Sequence, residues 1–263
     1  MTHGPQDILV HTEGGVTTIT FNRVEKKNSL TEAMYGALAD TLEAAAQDAG
    51  VRCVLIQGDA TVFSAGNDIA DFLRQGASSA PTDMTERSVW RFLKAIATFP
   101  KPLVAAVCGP AVGVGTTLLL HCDLVYAGDN AAFSLPFVNL GLCPEAASSL
   151  LLPRMLGMHR AAEALLLGEP FMAEAALEVG LVNRVVPPTE CNALAQKQAQ
   201  KLAAKPLASL IATKQLMKGA QTAQVLEVML QESHTFTRLL REPAAREAFG
   251  AFLEKRKPDF SGL

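Results

Sequence analysis

Two glycine-bearing stretches and one glutamate hold the chemistry this sequence can do. Gly109-Pro-Ala-Val-Gly-Val-Gly115 follows one apolar run and Phe63-Ser-Ala-Gly-Asn-Asp-Ile69 follows another. Each reads as a turn leaving a strand and entering a helix, where backbone N–H groups bind negative charge and small residues admit a ligand closely. Two such turns on neighbouring strands can aim two amides at one oxygen, the geometry of an oxyanion hole. Glu145, just after Cys143-Pro144, is the well-placed carboxylate of the Lys101–Ser149 stretch. One carboxylate beside an anion-binding turn points to proton shuffling rather than water addition. Spacing alone also allows Glu145 a plainer role, as a charge favouring a helix N-terminus. Asp68 and Asp71 read as helix-start carboxylates, Asp123 as a turn anchor, and His121 as a satisfied core histidine in the apolar run Leu118-Leu-Leu-His-Cys122. Gly113-Val-Gly115 begins a GxGxxG pattern, but Leu118 stands where the third glycine would be, which excludes a dinucleotide turn.

The elements that must position these groups are legible in the periodicity. Ile8–His11 and Val16–Phe21, joined through Glu13-Gly14-Gly15, form a hairpin. Leu30, Met34, Leu38 and Leu42 recur every fourth residue and mark a helix, with Ser29 and Glu32 at capping-box spacing. Val51–Gln57 and Leu103–Cys108 are buried strands ending at glycine. Between them lie a helix around Glu86–Thr98 and a small polar loop, Gly76–Asp83. A helical run starts at Thr116, strands return at Leu124–Ala127 and Ala131–Ser134, and Ser148–Met158 is helical. From Pro206 only helix remains, as Pro206–Gly219, Thr222–Leu240 and Ala244–Lys255, so the chain reads as an α/β core (1–205) with a helical C-terminal region (206–263). Ile69, Phe72, Trp90, Phe92 and Phe99 either line an acyl pocket or pack the core.

Composition narrows the partners. A 263-residue chain, 49% hydrophobic, has enough apolar residues for a substantial core. A net charge of −3 without long charged blocks leaves no electrostatic footprint for nucleic acid. Five scattered cysteines without a CxxC pair argue against a disulfide framework or a zinc site and for a reducing compartment. With no signal-like N-terminus and no membrane-length apolar run, a cytoplasmic location is expected.

Taken together, Phe21-Asn-Arg-Val-Glu-Lys-Lys-Asn-Ser-Leu30, Phe63-Ser-Ala-Gly-Asn-Asp68, Lys101-Pro-Leu-Val-Ala-Ala-Val-Cys-Gly-Pro110 and Cys122-Asp123 resemble the crotonase (enoyl-CoA hydratase/isomerase) superfamily. The resemblance extends through Gly180-Leu-Val-Asn-Arg-Val-Val186 to Phe252–Phe260. It implies a ClpP/crotonase-type α/β spiral of ββα units, a helical C-terminal trimerisation region, and trimers or paired trimers. It places the oxyanion amides on Asn67 and Val114, and puts Lys26, Lys27, Ala65, Gly66, Asp68, Ile69, Gly113 and Phe137 around a coenzyme A thioester substrate. No separate cofactor and no metal are implied.

The family's hydratases hold water between two glutamates, and here Thr117 and Phe137 stand at those places. Pro136–Ser149 instead resembles the segment of peroxisomal-type Δ3,Δ2-enoyl-CoA isomerases whose catalytic glutamate matches Glu145. The activity so implied is movement of a 3-enoyl-CoA double bond to the 2 position, as in fatty acid beta-oxidation. Another acyl-CoA reaction of the family, including hydration with Glu145 or Asp68 as base, and a non-catalytic acyl-CoA-binding module are the alternatives.

Overall fold

The computed structural model describes residues 7–71 and 87–263; Phe72, Glu86 and the Gly76–Asp83 loop lie outside the described residues. β1 (Ile8–Glu13) and β2 (Val16–Phe21) pair antiparallel. Gly14 and Gly15 close the hairpin at φ 57° and 78°, the left-handed pair that a two-residue turn between twisted strands needs. β3 (Cys53–Gln57), β4 (Leu103–Val107), β6 (Leu124–Gly128) and β9 (Arg184–Val186) then add in parallel, giving a six-stranded sheet of order β1-β2-β3-β4-β6-β9. A second sheet joins β5 (Pro110–Val112), β7 (Ala132–Ser134) and β8 (Phe171–Met172).

The unbroken apolar runs of the central strands are explained by burial on both faces. Val54, Ile56, Ala105 and Val107 pack in the core that holds Leu38 and Leu42 of the Glu32–Gln47 helix and Phe92 and Ile96 of the Ser88–Thr98 helix. The alternating residues Cys53, Leu55, Val104 and Ala106 pack with Cys191, Ala195 and Ala199 of the Pro188–Ala203 helix. With neither face free, the strand ends are what the sheet offers a ligand.

Local details differ from the sequence reading. Ser29 does not cap the first helix: Thr31 is the N-cap and accepts from Met34 N, while the Ser29 hydroxyl bonds Asp68. The Glu32 carboxylate reaches across to Ser88 N at 2.8 Å instead of back to its own helix start. The two helices expected at Pro206–Gly219 and Thr222–Leu240 are one 33-residue helix, Leu207–Leu239. Gly219 inside it costs about 1 kcal/mol relative to alanine, which neighbouring helical turns absorb, and Thr222 Oγ1 bonds back to Lys218 O. A second C-terminal helix, Pro243–Leu253, completes the helical region. No described helix is long and apolar enough to cross a membrane.

Candidate active site

β3 and β4 are neighbours, so the loops leaving them run side by side. Phe63 N and Ser64 N donate to Pro110 O, and Val112 N returns a bond to Ser64 O at 2.9 Å. On its other edge the first loop pairs with residue 30: Leu30 N donates to Gly66 O at 2.7 Å, and Asp68 N donates to Leu30 O at 2.9 Å. The Asn67 N–H between them therefore points away from that ladder. Val114 opens the short Val114–Thr117 helix, where a first-turn N–H has no helical partner. Among the described residues neither the Asn67 nor the Val114 N–H donates to an acceptor in the chain. Each follows a left-handed glycine, Gly66 at φ 84° and Gly113 at φ 54°. Asn28, fully buried, locks the first loop in place by donating to Val62 O and Phe63 O.

Glu145 lies in the turn before the Ser148–Leu156 helix rather than inside its first turn. The helix-dipole role is thereby displaced; the Glu145 backbone carbonyl accepts from Ser148 N and Oγ, and the side chain is free to face the loops. Thr117 Oγ1 donates to Glu145 Oε1. The residue keeps some exposed surface while its carboxyl sits in a dense environment. Burial pushes the carboxyl up to about 8, the Thr117 hydroxyl pulls against that, and the charge of Glu232 adds to it. Phe137 is buried, with its ring 3.9 Å from where a Cβ on Gly113 would stand. A hydroxyl and an aromatic ring, and no second carboxylate, are thus what Thr117 and Phe137 contribute beside Glu145 and Gly113.

The sequence reading missed Tyr35, whose hydroxyl lies 2.5 Å from Asn67 Oδ1. Burial, then the charges of Glu145 and Glu32, raise its phenol well above the usual range, so it remains a protonated donor. A buried tyrosine beside Met34 on an apolar helix face was a usable signal, because its hydroxyl needs a partner. Thr117 ties Glu145 to the helix that leaves the second glycine loop, and Tyr35, whose phenol feels the Glu145 charge, bonds Asn67 of the first.

Other expected residues divide. Lys26 and Lys27 are exposed at the rim, and Lys27 O accepts from Ala65 N, so the lysine turn is stitched to the first loop. Asp68 is not a free base: it pairs with Arg23 at 2.8 Å. Burial alone would raise its carboxyl, but the Asp71 N–H and the Arg23 guanidinium outweigh that and hold it below the usual range. Ile69 and Trp90 pack against the core, and Phe92 and Phe99 are buried inside it, Phe99 also lining a surface pocket with Leu42, Ala46 and Ala95. His121 is a core histidine as expected, its Nε2 2.8 Å from Ala146 O and its proton affinity pushed down to about 4 by burial. Asp123 accepts from Leu103 N and pairs with Lys214 and Lys218.

A mixed sheet buried on both faces, with adjacent glycine loops at its strand ends and a helical C-terminal region, is the crotonase fold. The family described as Enoyl-CoA hydratase/isomerase matches residues 11–262, and the chain belongs to it. It is 38% identical over 260 residues to the 1,2-epoxyphenylacetyl-CoA isomerase of Escherichia coli, covering 97% of this chain and 98% of the relative. It is 36% identical over 256 residues to the 2,3-dehydroadipyl-CoA hydratase of the same organism, covering 97% and 99%. Enoyl-CoA delta isomerases are also among its relatives, within 33–40% identity. A crystal structure of an enoyl-CoA hydratase/isomerase from Pseudoalteromonas atlantica superposes with a TM-score of 0.90 at 41% identity, covering 97% of this chain and 100% of the other.

Proposed function

We propose that the protein is a Δ3,Δ2-enoyl-CoA isomerase in which Glu145 moves the proton. The observation that supports this best is the Thr117 hydroxyl bonded to Glu145 Oε1, with Phe137 packed by Gly113. Glu145 then works without the second carboxylate that water activation uses.

In this reading the Asn67 and Val114 N–H groups hold the thioester oxygen. The Glu145 carboxylate removes a proton from C2, the C2–H electron pair enters the dienolate, and its negative charge rests on that oxygen. The same carboxyl returns the proton to C4 as the double bond shifts to C2. Thr117 fixes one carboxylate oxygen and leaves the other for the transfers. A raised proton affinity makes Glu145 a stronger base, which suits abstraction next to a thioester carbonyl. Phe137 keeps water from the dienolate. Exposed Leu216 and Met217 on the C-terminal helix support, as part of the same proposal, a trimer built through that region.

The test is product partition. Given 3-hexenoyl-CoA, the protein is expected to form 2-hexenoyl-CoA, and given 2-hexenoyl-CoA it is expected to add water at least about 100-fold more slowly. Rapid formation of 3-hydroxyhexanoyl-CoA would make it a hydratase. Thioester binding without turnover of either compound would make it a binding module.

The pH dependence follows from the same carboxyl. Glu145 must be ionised to accept the C2 proton, so kcat/KM is expected to rise with pH and reach half its plateau at a pH of about 8. The Thr117 hydroxyl favours the ionised form, so Thr117→Val is expected to move that midpoint to higher pH. Profiles between about pH 6 and pH 10 check it; an unmoved midpoint means that the hydroxyl does not act on Glu145.

A further inference from the structure

Glu145 is attached to an unusual piece of backbone. Ala146 and Ala147 are both left-handed, at φ 58° and 56°, where residues with a Cβ pay a steric cost. Two consecutive residues in that form persist only where their surroundings over-determine them. The surroundings here are a carboxylate from far along the chain. Glu232, buried in the Leu207–Leu239 helix, accepts from Ala147 N at 2.6 Å, from Ser149 N at 3.0 Å and from Ser149 Oγ at 2.5 Å. All three partners donate, and they use both carboxylate oxygens. An ionised carboxylate meets that demand, while a glutamine would turn its NH2 toward a backbone N–H. His121 Nε2 closes the turn from the other side on Ala146 O.

We infer that Glu232 is the positioning residue of the base: it holds the Glu145–Ser149 turn in its left-handed form and so fixes where the Glu145 carboxylate stands. This rests on the reading of Glu145 as the base. Burial raises the Glu232 carboxyl while the Ser149 and Ala147 donors pull against that, and its ionised form places a negative charge near Glu145 that favours the protonated Glu145 carboxyl. Three neighbours of this cluster do not change protonation state around neutrality, and Arg238 adds a positive charge near Cys143. His121 is held down to about 4, the Cys143 thiol is pushed up to about 11, and the Tyr35 phenol is well above its usual range. Lys214 and Lys218 are engaged with Asp123.

The experiment compares wild type, Glu232→Gln and Glu145→Gln in 3-hexenoyl-CoA isomerisation across pH, together with a carbon-13 NMR titration of the Glu145 carboxyl in glutamate-labelled protein. Displacing a reacting group by about 1 Å can cost about 100-fold, so Glu232→Gln is expected to lower kcat about 30- to 100-fold with KM nearly unchanged. It is also expected to move the Glu145 titration to lower pH, because a negative neighbour is gone. A variant that only melts earlier, with wild-type kcat and an unmoved titration, overturns the inference. Wild-type activity in Glu145→Gln overturns the reading of Glu145 as base instead, and the NMR titration still decides whether Glu232 controls that carboxyl. If Glu232→Gln does not fold, Ser149→Ala removes one donor from the clamp; a loss of about two- to fivefold in kcat is expected, and an unchanged kcat and titration overturns the inference.

Discussion

Glu145→Gln is expected to lower kcat for 3-hexenoyl-CoA isomerisation by about 1000-fold, equivalent to about 4 kcal/mol of transition-state stabilisation, with little change in KM. Glutamine matches glutamate in size and can still bond Thr117, so the acyl chain meets the same walls. What disappears is the carboxylate bonded to Thr117, the group proposed to take a proton from C2. Placed acids and bases contribute about 100- to 10,000-fold; the upper part of that range applies because one carboxyl serves both transfers. Asp68 does not substitute, since Arg23, Ser29 and the Asp71 N–H already occupy its carboxylate. Steady-state kinetics with purified variant settle the matter, and a loss under about tenfold would remove Glu145 from the mechanism.

How much of this arrangement the sequence discloses depends on the reach of the interactions involved. Features fixed within a few residues are legible: the Gly14–Gly15 hairpin, the apolar runs of β3 and β4, and the glycines leaving them. Helix limits are less so, because they depend on competing partners. Ser29 has capping-box spacing with Glu32, yet Arg23 and Asp68 take its hydroxyl and leave the cap to Thr31. Glu145 is visible as a carboxylate near a helix start, but its base strength is not, since burial and Thr117, 28 residues away, set it. Glu232 is the extreme case, acting on backbone 85 residues distant. One local sign of it exists: with Val225 and Met229 it lies on the buried stripe of its helix, where a charged side chain must have partners.

The proposed oxyanion hole is tested by moving backbone, because its donors are the main-chain N–H groups of Asn67 and Val114, which no side-chain truncation removes. Gly66 is the lever. Its φ of 84° disfavours any Cβ, and a Cβ built there would stand 2.8 Å from Val112 O, in the strand that leads into Gly113 and Val114. Gly66→Ala therefore pushes the two loops apart at the point where they touch, changing the separation of the Asn67 and Val114 amides while leaving the Glu145 and Thr117 side chains themselves unsubstituted. Losing one oxyanion donor costs about 100- to 1000-fold, so a fall in kcat/KM of about 100-fold is expected if one amide drifts out of range. Gly14→Ala is the matched control. It is equally left-handed at φ 57°, but a Cβ there meets nothing within 4 Å, and the hairpin turn is far along the sheet edge from the loops. It is expected to lower the melting temperature through backbone strain and to leave kcat/KM as it was. Should both variants lose stability alike and retain wild-type kcat/KM, the paired amides would not be the groups that hold the thioester oxygen.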